Sequence, residues 1–140
     1  MLFIENCPQI AVEKGTHKLP ANSSILIQIT DPGSDFVKPF YGETFNEIYR
    51  FQFYDVTAPL WGRGCLLEPI IEEQADKLVR ILDRALEKGY NVIVHCTAGL
   101  CRSGAVTEVG KIMGFTPVHE NRLPNVEVKS KMLRCLYESY

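Results

Sequence analysis

The sequence lacks most features that mark specialised classes of protein. It has no apolar run near the roughly 20 residues that cross a bilayer, and its net charge of −2 provides no basic excess for binding nucleic acid. The opening residues, MLFIENCPQI, have neither the basic start nor the long apolar stretch of a signal peptide. Its three histidines and five cysteines form no closely spaced set of zinc ligands. We therefore expect a cytoplasmic protein that binds no membrane, no nucleic acid and no metal.

The cysteines are odd in number and scattered along the chain, at Cys7, Cys65, Cys96, Cys101 and Cys135. This pattern is typical of free thiols in a reducing compartment and not of a disulfide scaffold. A chain of 140 residues with 46% hydrophobic residues is long enough to bury its own core. We find no internal repeat or linker, so we expect residues 1–140 to form one domain, and we expect a monomer.

Hydrophobic periodicity predicts a series of strands and helices. The predicted strands are Ser24–Thr30, Tyr49–Val56 and Asn91–Val94. A long amphipathic helix is predicted from Leu67 to Leu86 with Gly89 as its stop, and two shorter helices end at Gly114 and begin near Asn125. Segments 34–47 and 57–64 are predicted as loops. The order strand, long helix, strand indicates parallel strands in one α/β sheet.

Parallel strands bring two chemically distinct residues to the same sheet edge. Asp55 ends the second predicted strand, and Cys96 follows the third. Clefts in such sheets form outside the carboxyl ends of the strands. The pattern therefore predicts that a carboxylate and a thiol share one cleft, although they are far apart in the chain.

The segment HCTAGLCRSG, His95–Gly104, joins that third strand to the next helix. Amides of a glycine-containing loop and a helix N-terminus together suit a phosphate-sized anion. Arg102 adds a planar fork that binds two oxygens. Cys96, facing these positive groups, is expected to be a thiolate and a nucleophile toward phosphorus. Asp55 is then the proton donor to the leaving group, and Ser103 donates a hydrogen bond to the sulfur.

This segment matches the His-Cys-(five residues)-Arg-Ser/Thr signature, and the chain resembles the cysteine-dependent protein-tyrosine phosphatase superfamily, most closely its compact dual-specificity branch. FQFYDVTAP, Phe51–Pro59, is similar to the segment that carries the general-acid aspartate. NRLPN, Asn121–Asn125, is similar to the stretch with a loop-bracing asparagine. Asp55 lies further upstream of the cysteine than is usual, and the chain has little room for a phosphotyrosine-recognition loop.

The resemblance implies a mostly parallel central sheet with helices on both faces, a phosphocysteine intermediate and no metal or other cofactor. It implies that Cys96 is the nucleophile, that Arg102 clamps the phosphate and that Asp55 acts first as acid and then as base. It also implies that Ser103 assists departure of the sulfur and that His95 fixes the loop and favours the thiolate. The phosphoryl oxygens would be held by the amides of Thr97, Ala98, Gly99, Leu100, Cys101 and Arg102.

Several positions have alternative interpretations. Asn125 either braces the loop or caps the last helix. Aromatic residues that could wall the pocket or pack in the core are Trp61, Tyr54, Phe40 and Tyr41. Other carboxylates that could serve as the acid are Asp31, in a predicted turn, and Glu68, Glu72 and Glu73, near the start of the predicted helix. His17 and His119 are expected at the surface.

Cys101 follows Cys96 by five positions, and this spacing resembles the loop of low-molecular-weight tyrosine phosphatases. A neighbouring thiol can trap an oxidised thiolate as a disulfide. We therefore predict either a reversible Cys96–Cys101 disulfide, which would make the site redox-sensitive, or a simple filling role for Cys101.

The functional prediction is a phosphatase for phosphotyrosine in proteins, with phosphoserine and phosphothreonine as further substrates. The loop interior has no lysine, which makes phosphoinositides, inositol polyphosphates and RNA 5′-phosphates weaker alternatives. A non-catalytic phosphate-binding module is a second alternative. A thiol oxidoreductase or arsenate reductase that uses Cys96 and Cys101 is a third.

Overall fold

The computed structural model describes residues 1–62 and 64–139. Arg63, within the predicted loop 57–64, and Tyr140 lie outside the described residues. The strands are β1 (Phe3–Pro8), β2 (Ser24–Thr30), β3 (Glu47–Gln52), β4 (Leu60–Gly62), β5 (Cys65–Leu67), β6 (Asn91–Cys96) and β7 (Thr116–Pro117). The α-helices are α1 (Gln9–Lys14), α2 (Glu72–Lys88), α3 (Arg102–Met113) and α4 (Val126–Ser139).

Five strands form one parallel sheet in the order β3-β2-β6-β1-β7. One face packs against α2, α3 and α4 through alternate strand residues such as Ile25, Ile27 and Ile29. The other face packs against α1, where Leu26 and Ile93 meet Val12. Helices on both faces of a parallel sheet are what the sequence predicts, and the α/β fold class is confirmed.

The parallel sheet brings the predicted site residues to one edge. Strand β6 lies between β1 and β2, so Cys96 at its end stands beside Pro8 of β1. Strand β3 is the outer neighbour of β2, and its continuation carries Asp55. The cleft at the carboxyl ends of these strands is therefore bordered by three separate segments of the chain.

Two predicted boundaries are wrong by four or five residues. The second strand ends at Gln52 and not at Val56, because its partner β2 ends at Thr30, where Asp31 and Pro32 turn the chain away. Helix α2 begins at Glu72 and not at Leu67. Leu67 pairs with Leu60 in a two-stranded hairpin that occupies part of the segment predicted as a loop.

The first strand is absent from the sequence prediction because polar residues interrupt its apolar pattern. Glu5 and Asn6 are buried in β1, and each is satisfied by hydrogen bonds. The Glu5 carboxylate accepts from the backbone amides of Lys18 and Leu19 at 2.8–3.0 Å. The Asn6 side chain donates to the loop that follows β6. Buried polar groups need such partners, and here the partners come from distant segments that a local pattern does not reveal.

Candidate active site

The loop between β6 and α3 is shaped by a glycine that no other residue can replace without movement. Gly99 has φ of +77°, and a Cβ built on it would lie 2.3 Å from backbone atoms of Cys7 and Pro8. The loop therefore packs directly on the end of β1. Residues with a side chain are disfavoured at this φ, so both conformation and space require glycine here.

The carbonyls of this loop are held by the surrounding framework. Thr97 O accepts from Gln9 N, Gly99 O from Asn6 Nδ2, Leu100 O from Leu123 N and Cys101 O from Asn125 N, at 2.8–3.3 Å. The C=O and N–H of a planar trans peptide point in opposite directions. The amides that follow these carbonyls, those of Ala98, Leu100, Cys101 and Arg102, therefore face the interior of the loop.

One nitrogen of the Arg102 guanidinium is fully hydrogen-bonded, whereas the edge formed by the other two is not. The Arg102 side chain is buried, and Nη1 donates to Asp31 Oδ1 at 2.7 Å and to the Phe53 carbonyl at 2.8 Å. Nη2 makes only a long bond to Thr97 Oγ1, at 3.3 Å, and the buried Nε has no hydrogen-bond partner among the described residues. The Nε–Nη2 edge is the one that binds two oxygens of an oxyanion side by side.

The thiol at the start of the loop contacts a hydroxyl at the start of α3. Cys96 is 3% exposed, and its Sγ lies 3.1 Å from Oγ of the fully buried Ser103. A hydroxyl at this distance can donate to a thiolate and stabilise it.

His95 is a neutral framework residue. The Gln28 amide is oriented by Arg50 Nε, which donates to its Oε1, and by the Val37 carbonyl, which accepts from its Nε2. Gln28 Nε2 therefore also donates to His95 Nε2 at 3.2 Å, which leaves the ring proton on Nδ1, 3.4 Å from the Cys96 carbonyl. Burial, with a smaller contribution from the positive charge of Arg102, lowers the pKa of His95 to about 4. The ring holds the loop but carries no positive charge toward the thiol at neutral pH.

Asp55 is exposed, and its carboxylate is held by a side chain from the segment before α4. Asn125 Nδ2 donates to Asp55 Oδ1 at 2.7 Å, and Asn125 Oδ1 caps α4 by accepting from the amides of Glu127 and Val128. The side chain of Asn125 thus combines the cap with an orienting bond to Asp55, and only its backbone amide contacts the loop. Burial, together with the nearby Asp55 carboxylate, raises the pKa of the Cys101 thiol.

Arg102 lines a cleft of about 430 Å³, here called the Arg102 cleft. Its lining residues are Asp31, Pro32, Ser34, Tyr54, Asp55, Val56, Cys65, Leu67, Thr97 and Arg102. The sheet therefore brings both candidate carboxylates, the arginine and the predicted wall residue Tyr54 to one cleft.

Trp61, a candidate for the pocket wall or the core, is not among the described residues that line the Arg102 cleft. Leu60 pairs with Leu67 and Trp61 with Leu66 in the β4–β5 hairpin. Successive side chains of a strand point to opposite faces, so Leu67 lines the Arg102 cleft while Trp61 lies on the other face, 75% exposed.

The comparisons with known proteins concern the fold. The chain resembles the human tyrosine phosphatase-like serine/threonine/tyrosine-interacting protein with a TM-score of 0.62 and 19% identity, over 94% of this chain and 88% of that one. A mouse putative dual specificity phosphatase complexed with zinc tungstate matches with a TM-score of 0.53 and 11% identity, over 84% and 72%. Tk-PTP in its active form matches with a TM-score of 0.51 and 17% identity, over 94% and 76%.

The chain has the dual-specificity phosphatase fold. No protein-family model matches its sequence, and no curated protein matches it.

Three residues that support the site in this phosphatase fold were not found as such from the sequence. Asn6 bridges the carbonyls of Gly99 and Asn121 at 2.8 and 3.0 Å, and Gln28 orients His95. Asp31, predicted as a turn residue and as a rival acid, instead pairs with Arg102. Their position in the sheet could have indicated this role, because each residue lies at or near the carboxyl end of β1 or β2.

Other predicted residues lie away from the Arg102 cleft of the phosphatase fold. Glu68 and Glu73 are exposed, and Glu72 pairs with Arg134 at 2.8 Å. Phe40 and Tyr41 pack near Gly15, after α1, and so do not wall the cleft. His17 and His119, expected at the surface, are each half-buried: His17 packs against Tyr41 and Phe45, and His119 Nε2 donates to the Asn6 carbonyl at 2.8 Å.

Residues 1–62 and 64–139 contain no group of three or more His, Cys, Asp or Glu side chains placed to hold a metal ion. In the same part of the chain, no helix combines the length and apolar character needed to span a membrane.

Proposed function

We propose that this protein is a cysteine-dependent phosphatase that hydrolyses phosphotyrosine in protein substrates, with phosphoserine and phosphothreonine as further substrates. The observation that carries the proposal is the state of Arg102. Its Nη1 is held by Asp31 and Phe53, while Nη2 makes only a long bond to Thr97 and the buried Nε has no hydrogen-bond partner among the described residues. Leaving a guanidinium edge buried without a partner is costly, and a phosphoryl group would supply the missing acceptors.

In the first step, the Cys96 thiolate attacks phosphorus and the bond between phosphorus and the ester oxygen breaks. The sulfur–phosphorus bond forms as the leaving oxygen takes a proton from Asp55, and the product is the free hydroxyl of the substrate. Charge on the equatorial oxygens is met by the Arg102 edge and the loop amides, which are already oriented before substrate binds.

In the second step, water attacks the phosphocysteine. Asp55, now a carboxylate, accepts a proton from that water, and the sulfur–phosphorus bond breaks to release inorganic phosphate. Ser103 Oγ, 3.1 Å from Cys96 Sγ, donates to the departing thiolate. Both steps balance without a metal or redox co-reactant.

Asp55 is favoured over Asp31 as the acid because of their partners. Asp31 Oδ1 accepts from the buried guanidinium of Arg102 at 2.7 Å, so this carboxylate is engaged in holding the proposed phosphate clamp. Asp55 contacts the neutral amide of Asn125 and is exposed at the cleft. Among the cleft carboxylates, Asp55 is therefore the one free to exchange a proton with substrate and water.

The charges and apolar walls of the Arg102 cleft favour a phosphorylated protein side chain as substrate over a polyanion. Among the described residues that line it are two carboxylates, Asp31 and Asp55, and one cation, Arg102. Tyr54 and Leu67 provide apolar surface that suits an aromatic ring. Phosphoinositides and other polyphosphates carry additional negative charge, which this lining does not neutralise.

The test is hydrolysis of a chromogenic aryl phosphate in the presence of a chelator. Wild type should turn over, Cys96→Ser should lose about a thousandfold or more in kcat, and Asp55→Asn about a hundredfold with a poor leaving group. Cys135→Ser, which removes a thiol on α4, is the matched control and should keep the wild-type rate. Mass spectrometry of acid-quenched wild type should find the phosphate on Cys96.

Two outcomes would overturn this proposal. Full activity in Cys96→Ser would exclude the covalent mechanism. A wild-type protein that binds vanadate or tungstate but hydrolyses no aryl phosphate would favour the phosphate-binding module.

A further inference from the structure

A second concavity, here called the apolar groove, adjoins the Arg102 cleft. Its volume is about 510 Å³. One side is formed by residues 55–60 and the other by residues 123–126, with Cys101 of the loop between them. Asp55 and Val56 line both the groove and the cleft, so the two spaces adjoin at the candidate acid.

The two sides of the apolar groove are held together by bonds already described for the site. Asn125 Nδ2 joins the sides by donating to Asp55 Oδ1 at 2.7 Å and to the Val56 carbonyl at 3.3 Å. Leu123 N donates to Leu100 O and Asn125 N to Cys101 O, both at 3.0 Å, which fixes one side to the loop. The groove is thus preformed relative to the loop.

The surface of the apolar groove is unusually poor in charge for its exposure. Asp55 is its one charged residue among those described as lining it. Leu60, Leu123 and Val126 are 55%, 68% and 63% exposed, although each would gain free energy by burial. Clustered exposed apolar side chains beside a candidate active site indicate a binding surface.

We propose that the apolar groove binds an apolar side chain of the substrate peptide, one or two residues from the phosphorylated residue. This inference rests on the proposed phosphatase function and adds sequence specificity to it. The leaving oxygen must meet Asp55, so the peptide passes the point where cleft and groove join. An extended peptide advances about 3.3 Å per residue, which brings a near neighbour of the phosphorylated residue to the groove.

Charge favours a peptide over a lipid or another polyanionic substrate. Asp55 stands at the junction, Asp31 lines the cleft, and the described lining residues of the apolar groove include no lysine or arginine. An anionic headgroup or an acidic peptide flank would face these carboxylates without a compensating cation. The occupant that matches both the apolar walls and the charge is an uncharged apolar side chain.

The experiment compares two phosphotyrosine peptides that differ only in the residues next to phosphotyrosine, leucine in one and serine in the other. Wild type should show about tenfold higher kcat/KM for the leucine peptide, equivalent to partial burial of one side chain. Leu123→Ser and Val126→Ser should each bring that ratio close to one. Ile112→Ser, which removes an exposed apolar side chain of α3 outside the groove, is the matched control and should keep the wild-type ratio.

A binding measurement separates failure of this inference from failure of the proposed function. Fluorescence anisotropy of the labelled peptides on Cys96→Ser should give the same roughly tenfold preference, whether or not wild type hydrolyses an aryl phosphate. Equal affinities for the two peptides, or an unchanged ratio in Leu123→Ser, would overturn the groove assignment while aryl phosphate turnover stands. Faster hydrolysis of a phosphoinositide in vesicles than of the leucine peptide, lost in Leu123→Ser, would also overturn it in favour of a lipid.

Discussion

The loop between β6 and α3 and the segment that carries Asp55 meet at the same cleft but are held in different ways. Buried framework donors fix the loop through its carbonyls, and Gly99 packs on the backbone of β1. Asp55 is exposed beyond the end of β3, where Asn125 Nδ2 donates to its carboxylate at 2.7 Å and the Cys101 thiol lies nearby. The difference teaches that the proposed anion-binding half is part of the core, whereas the proposed acid is placed by a few surface contacts.

This contrast has a functional consequence. Oxyanion stabilisation depends on donors that are oriented before substrate binds, and buried backbone provides that order. A proton donor must instead reach a leaving group, exchange its proton with water and let product depart, so exposure is compatible with its task. Substitutions in the loop should therefore affect stability and activity together, while substitutions around Asp55 should mainly affect rate.

The largest effect is expected from Gly99→Ala. The new methyl group meets the Cys7–Pro8 backbone and the residue must keep a positive φ, which together should cost about 4 kcal/mol of unfolding free energy. Gly33→Ala is the control, because Gly33 also has positive φ but open space around it, and should cost about 1 kcal/mol. Urea denaturation measures both, and equal losses in the two variants would contradict the packing explanation.

The second effect concerns His95 and pH. Because burial lowers the pKa of His95 to about 4 from 6.5, the unfolded chain takes up the proton first as pH falls. The stabilising contribution is complete above pH 6.5 and is lost progressively toward pH 4, about 2 kcal/mol between pH 7.5 and 5. Urea denaturation at these two values should show that loss in wild type and a loss smaller by this amount in His95→Gln, and parallel losses would argue against a buried neutral ring.

The third effect separates the two roles of Asn125, which caps α4 and donates to Asp55. Asn125→Ser keeps a capping oxygen for α4 but loses the donor to Asp55, so kcat should fall about tenfold with little change in stability. Asn125→Ala loses both and should also cost about 1 kcal/mol of unfolding free energy. The measurements are kcat with a poor leaving group and urea denaturation. A wild-type kcat in Asn125→Ser would show that Asp55 is positioned without this bond.

The smallest effect separates charge from geometry at Asp31. Asp31→Asn keeps an acceptor for Arg102 Nη1 but removes a negative charge from the cleft, so inhibition by inorganic phosphate should tighten about threefold. Asp31→Ala removes the acceptor as well, and the inhibition should weaken because the Arg102 edge is no longer held in place. Opposite signs in the two variants are expected, and weakening in both would mean that the charge itself is required.

Much of the site was predictable because its residues lie in one continuous segment. His95, Cys96, Arg102 and Ser103 follow a strand and begin a helix, and the structure places them at that junction. The roles assigned to them stay predictions, as does the Cys96–Cys101 disulfide, since both thiols are free in the structure. The hairpin and β1 were not predictable from local patterns, because distant residues satisfy their polar and apolar groups.

The sequence by itself determined the α/β class, the strand–loop–helix order around Cys96 and the identity of the residues that can act on a phosphate. Hydrophobic periodicity and a short motif carry that information because both depend on neighbours in the chain. Only the tertiary structure decided that Asp31 holds Arg102, that Asn6 braces Gly99 and that Asn125 binds Asp55. These contacts join residues separated by about half the chain or more, and the packing of the sheet and helices, not local spacing, brings them together.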